Sequence, residues 1–388
     1  MYNYFSSNFT LGILGGGQLG KMLLNETRKY DIKTKVLDPN PEAPSAIACN
    51  QFVCGSLLDY KTVMQFAEDV DVLTIEIEAV NIEALRDLAQ QGKKVYPSAE
   101  TLAVIQNKQI QKDFYKSNNI ATSRHFNFAS KVELVNHLKA HPNLFPMVWK
   151  AATGGYDGKG VQVIKNLDDA KQLPGVACLL EDLVDFKTEL AVIVARNSSG
   201  EVKSYPVVEM EFHPEANQVE YVLCPARISD EIAQKARDLA EEVSSKIKHV
   251  GLLAVELFLT HSDDVLVNEV APRPHNSGHF SIEGSYTNQF EQHLRAVLDL
   301  PLGDTSTKQP AVMVNLVGDE AFEGNVLYKN IEHVMSLKGV TPHIYGKKIT
   351  RPFRKMGHVT IINQSITKAR EIAAQVKSQL KVIAHENA

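Results

Sequence analysis

Two glutamates, Glu256 and Glu269, sit in apolar runs on either side of a polar turn, His261-Ser262-Asp263-Asp264. The runs (Leu252, Leu253, Val255 and Leu257 before it, Val265, Val267 and Val270 after it) read as the arms of a β-hairpin. A turn centred on Ser262-Asp263 pairs Glu256 directly with Glu269. Two carboxylates about 5 Å apart in a half-buried setting repel by roughly 3 kcal/mol at an effective dielectric near 20. A hard divalent cation removes that repulsion, and Mg²⁺ commonly joins one or two carboxylates to nucleotide phosphates. Two blander outcomes compete: a one-residue register slip that turns one glutamate to solvent, or a salt bridge to Arg or Lys.

Two glycine loops add to this chemistry. Gly15-Gly16-Gly17-Gln18-Leu19-Gly20 approximates the dinucleotide fingerprint, with Asp38 about twenty residues on. Alone it favours an NAD enzyme, although glycines there also let any ligand, or simply the helix, approach the backbone. The second loop, Thr153-Gly154-Gly155-Tyr156-Asp157-Gly158-Lys159-Gly160, joins two apolar strands over 147–149 and 161–164. A Walker A loop opens a helix instead. A glycine loop at a hairpin tip suits a lid over ATP phosphates, with Lys150 reaching them from the strand end. The competing reading is a Gly-rich turn beside a surface lysine.

The elements that must position these groups change character along the chain. The first hundred residues alternate strands (10–14, 33–37, 52–54, 72–77, 95–96) with helices (near 60–67 and 82–91), predicting a parallel, doubly wound α/β sheet. A helix around 99–118 follows. Beyond it, hairpins (190–195 with 202–208, 252–260 with 265–270) flank a helix carrying Ile232, Ala236, Leu239, Val243 and Ile247 on one face, which reads as α+β. From Pro301, strands near 311–317 and 357–362 and a helix near 366–380 close the chain.

At 388 residues, 44% hydrophobic and 22% charged, the chain has the composition of two or three globular domains. A net charge of −5 argues against nucleic acid or an anionic membrane as main partner. Cys49, Cys54, Cys178 and Cys224 form no C-x-x-C pair and read as reduced thiols. The start lacks a basic n-region, and the apolar run over 251–259 is too short to span a bilayer, so a soluble, cytoplasmic protein is expected.

Four segments, in order along nearly the whole chain, resemble the ATP-grasp superfamily and, within it, the N5-carboxyaminoimidazole ribonucleotide synthase family. They are Gly15-Gly16-Gly17-Gln18-Leu19-Gly20-Lys21-Met22, Gly154-Gly155-Tyr156-Asp157-Gly158-Lys159-Gly160, Asn268-Glu269-Val270-Ala271-Pro272-Arg273-Pro274-His275-Asn276-Ser277-Gly278-His279, and Arg354-Lys355-Met356-Gly357-His358. The resemblance implies an ATP-grasp fold with an N-terminal Rossmann-like domain (1–107), an ATP-grasp domain (108–300, with a lid around 150–165) and a small C-terminal domain (301–388). It implies ATP-dependent carboxylation of 5-aminoimidazole ribonucleotide by bicarbonate through carboxyphosphate, in purine biosynthesis. The cofactors would be ATP and Mg²⁺, with Mn²⁺ as a substitute ion and neither NAD nor biotin, in a cytoplasmic homodimer.

By the same resemblance, Lys108 and Lys150 contact ATP, and Gly155, Tyr156, Asp157, Gly158, Lys159, Gly160 and Val161 cover it. Glu181, Asp182, Leu183 and Val184 form the linker at adenine, Glu189 binds ribose, and His213 reaches the nucleotide. Glu256 and Glu269 hold the metal, with Asn268 beside them. Arg273, His275 and Asn276, with Lys150, form the catalytic group that receives bicarbonate and the intermediate. Gln18, Glu76, Tyr156 and Asp157 face the aminoimidazole ribonucleotide, and Arg354 and Lys355 its phosphate.

Two departures stand out. Ala79 follows Glu78 where the family carries Asn, with Asn81 two places on, and Ala271 stands where many ATP-grasp enzymes have Asn. Each residue also has an ordinary reading: Glu76 and Glu78 as an exposed acidic edge, Lys108 as a solvated helix residue, His275 and His279 as loop hydrogen-bonders, Arg354-Lys355 as plain surface. The rival functions are a formate-dependent glycinamide ribonucleotide transformylase, an NAD(P)-dependent oxidoreductase and a non-catalytic nucleotide sensor.

Overall fold

Strands Thr10–Leu14 and Val72–Ile75 are buried along their whole length, and Lys33–Asp38 nearly so, as central strands covered on both faces must be. In the computed structural model, which describes residues 4–154, 160–214 and 218–385, they form a five-stranded parallel sheet. Its order is Gln51–Cys54, Lys33–Asp38, Thr10–Leu14, Val72–Ile75, Lys94–Tyr96. The strand order reverses beside Thr10–Leu14, so a crevice opens at the carboxyl ends of the two central strands. The glycine loop leaves one of them. The other stops at Ile75 rather than the expected residue 77, which puts Glu76 and Glu78 beyond the strand, in the crevice.

The helix expected around 99–118 is two helices, Ala99–Ile105 and Lys108–Ser117. Asn107 breaks them: its side chain accepts the amides of Gln109 (2.9 Å) and Ile110 (3.3 Å) and caps the second helix. Lys108 therefore starts a helix instead of lying within one. A four-stranded antiparallel sheet follows, ordered His125–Phe128, Cys178–Asp182, Met147–Ala151, Val161–Ile164.

The largest sheet has nine strands. Its path runs Val265–Ala271, Gly251–Thr260, Phe186–Arg196, Val208–Phe212, Val219–Cys224, Ala311–Val317, Lys355–Ile362, Val340–Ile344, with Val202–Ser204 paired to Phe186–Arg196. It continues without a break from the middle of the chain into the C-terminal segment, because Val219–Cys224 pairs with Ala311–Val317. Helix Asp230–Ile247 packs Ala236, Ala240, Val243 and Ile247 against one end, and helix Ile366–Gln379 packs Ala369, Ala373 and Val376 against the other. A small sheet of Ile349–Thr350, Gly324–Lys329 and Lys381–Ala384 sits beside it.

The late hairpin reaches its register by an unexpected route. Its outer pairs, Leu259 with Val265 and Leu257 with Val267, centre the turn on Ser262, not on Ser262-Asp263. That register would leave Glu256 facing Asn268. A β-bulge at Asn268 inserts one extra residue, and Glu256 then faces Glu269.

Candidate active site

One face of helix Lys108–Ser117 sends two lysines, a turn apart, to two carboxylates. Lys108 pairs with Glu269, and Lys112 pairs with Glu181 at 3.2 Å. Lys150, at the end of its strand, stands between Glu181 (3.2 Å) and Asn268, to whose side-chain oxygen it donates at 3.0 Å. Lys150 and Glu181 are buried; neither is a surface residue. Lys108 and Lys150 thus meet the hairpin that carries Glu256 and Glu269, and Lys112 stands behind them on Glu181.

The two facing glutamates differ in charge state. Burial opposes ionisation of Glu269, but Lys108 and then Lys150 outweigh it and hold the carboxyl down to about 2. Burial, the facing Glu269 and Glu189 push Glu256 up to about 8. Lys108 forms its ion pair with Glu269, while at Glu256 the weaker pull of Lys108 and Lys355 is outweighed, so Glu256 carries most of the repulsion. Among the described residues no group of three or more His, Cys, Asp or Glu side chains is placed to hold a metal ion by itself. The donor set fits a hard cation that takes its other oxygens from a ligand.

The Pro-rich loop after the hairpin lies against this pair. His275 Nε2 is 3.5 Å from Glu256 Oε1, and its Nδ1 meets Ser277 Oγ at 2.9 Å. Burial, with Arg273 and Lys355 nearby, pushes the His275 imidazole down to about 3, so it is neutral. Gln289 clamps the loop: it accepts the His275 amide and donates to the His275 carbonyl, both at 2.8 Å. Asn276 makes a reciprocal amide pair with Asn315, at 2.8 and 2.9 Å. Arg273 forks onto Glu78, at 2.5 and 3.1 Å.

Glu76 is neither an exposed edge residue nor open to a ligand on all sides. It is buried, and its oxygens accept the amides of Gly17 (2.9 Å) and Gly20 (3.0 Å). Asp38 accepts the Gly16 amide at 2.7 Å. Three amides of the glycine loop, those of Gly16, Gly17 and Gly20, are thus satisfied by the chain's own carboxylates. A dinucleotide pyrophosphate would have to displace a buried glutamate there. Burial raises the Glu76 carboxyl, against the two amides that lower it. Asn81, the asparagine nearest to Ala79, caps helix Ile82–Gln90 by accepting the Ala84 amide.

The remaining expected residues spread outward. Gln18 opens helix Gln18–Lys29, half-buried, at the glycine loop. Of the four expected linker residues, Glu181 and Asp182 lie in strand Cys178–Asp182, and Asp182 pairs with Arg124 at 2.9 Å. Beside this linker a cavity of about 490 Å³ is lined by Ser123, Asp182, Val184, His261 and Leu266 among others, while Leu183 faces solvent. Glu189 sits half-buried on Phe186–Arg196, and burial pushes it up to about 7. His213 packs its ring 5.8 Å from Phe353. Gly160 and Val161 stand where the glycine loop meets its second strand, Gly160 accepting the Ala151 amide at 2.9 Å. Lys355 acts on both His275 and Glu256, whereas Arg354 turns away and donates to the Ile349 carbonyl at 2.5 Å. Gly155, Tyr156, Asp157, Gly158 and Lys159 lie outside the described residues.

Sequence reasoning missed Lys112, Gln289 and Asn315 and left Glu78 with no role. The i, i+4 spacing of Lys108 and Lys112 was a signal for the first. Gln289 and Asn315 carried none, since their partners are remote in sequence.

Comparison with known proteins matches three models along the chain. Residues 9–106 match a ribonucleotide synthetase preATP-grasp domain, 113–290 an ATP-grasp domain, and 311–372 a phosphoribosylaminoimidazole carboxylase C-terminal domain. The chain is 38% identical over 362 residues to the N5-carboxyaminoimidazole ribonucleotide synthase of Bacillus subtilis, covering 91% of each protein. It is 38% identical over 379 residues to the phosphoribosylaminoimidazole carboxylase of Saccharomyces cerevisiae, but spans only 65% of that longer protein. A crystal structure of N5-carboxyaminoimidazole synthase from Aspergillus clavatus, in complex with ADP and 5-aminoimidazole ribonucleotide, superposes with a TM-score of 0.85. It is 33% identical, with 95% of this chain and 98% of that one covered. The chain belongs to the N5-carboxyaminoimidazole ribonucleotide synthase family and has the ATP-grasp fold.

Proposed function

We propose that the chain uses ATP and bicarbonate to carboxylate the exocyclic amine of 5-aminoimidazole ribonucleotide, giving N5-carboxyaminoimidazole ribonucleotide, ADP and phosphate in purine biosynthesis. The observation that carries this reading is the bulged hairpin: Glu256 and Glu269 face each other beside Lys108, Lys150 and Asn268, with Arg273 and His275 on the following loop.

A bicarbonate oxygen attacks the γ-phosphorus, the bond to the β-phosphate oxygen breaks, and ADP leaves with that electron pair. The amine nitrogen of the ribonucleotide then attacks the carboxyl carbon of the resulting carboxyphosphate, and phosphate leaves as the nitrogen gives up a proton. Such chemistry asks the protein for position, charge and dryness more than for covalent help. Lys108 and Lys150 receive the nucleotide phosphates. Arg273 offers a planar fork to bicarbonate once it lets go of Glu78. Neutral His275, whose Nδ1 accepts the Ser277 amide, carries its proton on Nε2 and offers it as a donor beside Glu256.

Glu256 and Glu269 would hold Mg²⁺, which supplies charge neutralisation at the phosphates when bound. Glu189 binds ribose, the 181–184 linker meets adenine, and Gln18 and Lys355 border the ribonucleotide. We take the working unit to be a cytoplasmic homodimer of three-domain chains divided at 1–107, 108–300 and 301–388.

Phosphate and ADP release by the purified chain tests this. Turnover should require both aminoimidazole ribonucleotide and bicarbonate. Turnover driven by formate with glycinamide ribonucleotide would refute it in favour of the transformylase.

A further inference from the structure

Lys112 is 2% exposed, deeper than a lysine goes without strong cause. Burial lowers its ammonium to about 8, against the pull of Glu181. It donates to Thr122 Oγ1 (2.6 Å) and Ser123 Oγ (3.0 Å) and pairs with Glu181 Oε2 (3.2 Å). Ser123 donates to the same Glu181 oxygen at 2.8 Å, while Thr122 donates to the Val267 carbonyl at 2.6 Å. Lys112 thereby ties its helix to the strand bearing Glu181 and to the residue that precedes Asn268 in the bulge.

Lys150 shares Glu181, through Oε1, and also donates to Asn268 Oδ1. Glu181 does not need two ammonium partners for neutrality. A single lysine and the Ser123 hydroxyl would satisfy it, and an apolar residue at 112 would fold at lower cost. The second lysine changes the charge balance. With one partner, Glu181 and Lys150 would close as a neutral pair. With two, the carboxylate is shared: its Oε2 is fixed on Lys112 and Ser123, and Lys150 is left with Oε1 and the Asn268 oxygen at the bulge.

We propose that Lys112 is a positioning residue for nucleotide binding: through Glu181 it keeps the Lys150 ammonium available to an incoming phosphate. The inference rests on the ATP reading of this site. It gives a site role to a residue that would itself touch no substrate.

The test is calorimetric titration with Mg-ATP, together with steady-state kinetics, on the full chain. Lys112→Met should weaken ATP binding and raise the KM for ATP about tenfold, the scale of coupling inside one charged network. The KM for aminoimidazole ribonucleotide should stay within about twofold of wild type. Lys112→Met with Glu181→Gln removes the carboxylate that would lock Lys150 and should restore most of the ATP affinity. That double variant leaves Lys150 with the Asn268 oxygen alone, so Lys112→Gln, which keeps a donor for Thr122 and Ser123 but no charge, carries the test if Lys112→Met alone fails to fold. ATP affinity unchanged in Lys112→Met, or still weak in the double variant, overturns the proposal and leaves Lys112 a packing residue. Wild-type protein that binds no ATP would instead overturn the nucleotide reading itself.

Discussion

Replacing Glu256 by glutamine should stabilise the metal-free protein, and the gain should grow with pH. The Glu256 carboxyl is pushed from the usual 4.5 to about 8 by burial, then Glu269, then Glu189. Between those pH values the unfolded chain has released a proton that the folded chain retains. Stability from this group is therefore full below pH 4.5 and is lost as pH rises towards 8. From 4.5 to pH 7, at about 1.4 kcal/mol per unit, the loss is at most about 3 kcal/mol. The side chain is 17% exposed and titrates together with Glu269, which brings the expected gain to about 1–2 kcal/mol.

Glutamine keeps the shape and can still offer its side-chain oxygen as an acceptor to His275 Nε2, 3.5 Å away. Thermal melts of wild type and Glu256→Gln in EDTA at pH 5, 7 and 8.5 measure the effect. The variant should match wild type at pH 5 and melt a few degrees higher at pH 8.5. Glu269→Gln is the opposite control. It strands Lys108 and should cost about 1–3 kcal/mol, even though it removes the same like-charge contact. A Glu256→Gln protein no more stable than wild type at pH 8.5, or more stable by the same margin at every pH, would refute the reasoning.

Gly20→Ala should lower stability by about 1–3 kcal/mol by calorimetry, because the new Cβ would lie 2.8 Å from Ser45 Oγ and 3.2 Å from the Gly15 carbonyl. Glu189, pushed up to about 7 mainly by burial, accepts ribose hydroxyls best when ionised. ADP affinity should therefore rise between pH 6 and 8, and calorimetric titrations of Glu189→Gln across that range should show a flatter profile.

Much of the site was legible because strand periodicity is local. Alternation over 252–270 is enough to place two glutamates on one hairpin, and the glycine loop between Met147–Ala151 and Val161–Ile164 follows from short apolar runs. The register was legible only in its result. The assumed turn centre was one position off, and the bulge at Asn268 made up the difference. No periodicity announces a bulge. The helix break at Asn107 was written as an N-cap residue ahead of Lys108, but the apolar pattern runs across it and hides it.

What stayed hidden was long-range. Glu76 meets Gly17 and Gly20 across two strands of a parallel sheet, some sixty positions away, and Arg273 meets Glu78 across 195 positions of chain. Such pairings depend on how sheets assemble, which single-residue patterns do not encode. Lys112 is the sharpest case. Its helix face could be read, but Thr122 and Ser123 come from one other segment and Glu181 from a second.

The unbroken sheet across Val219–Cys224 and Ala311–Val317 bears on how the chain can be divided. A cut between residues 301 and 310 looks harmless in sequence, yet it would bare two long rows of unpaired amides and carbonyls on largely apolar strands. Each row is a template for sticking to a neighbouring molecule. The C-terminal piece is therefore not a removable accessory. Fragments split there should be recovered only when made together, or else as aggregates, and any fusion or circular permutation of this protein should leave that seam intact.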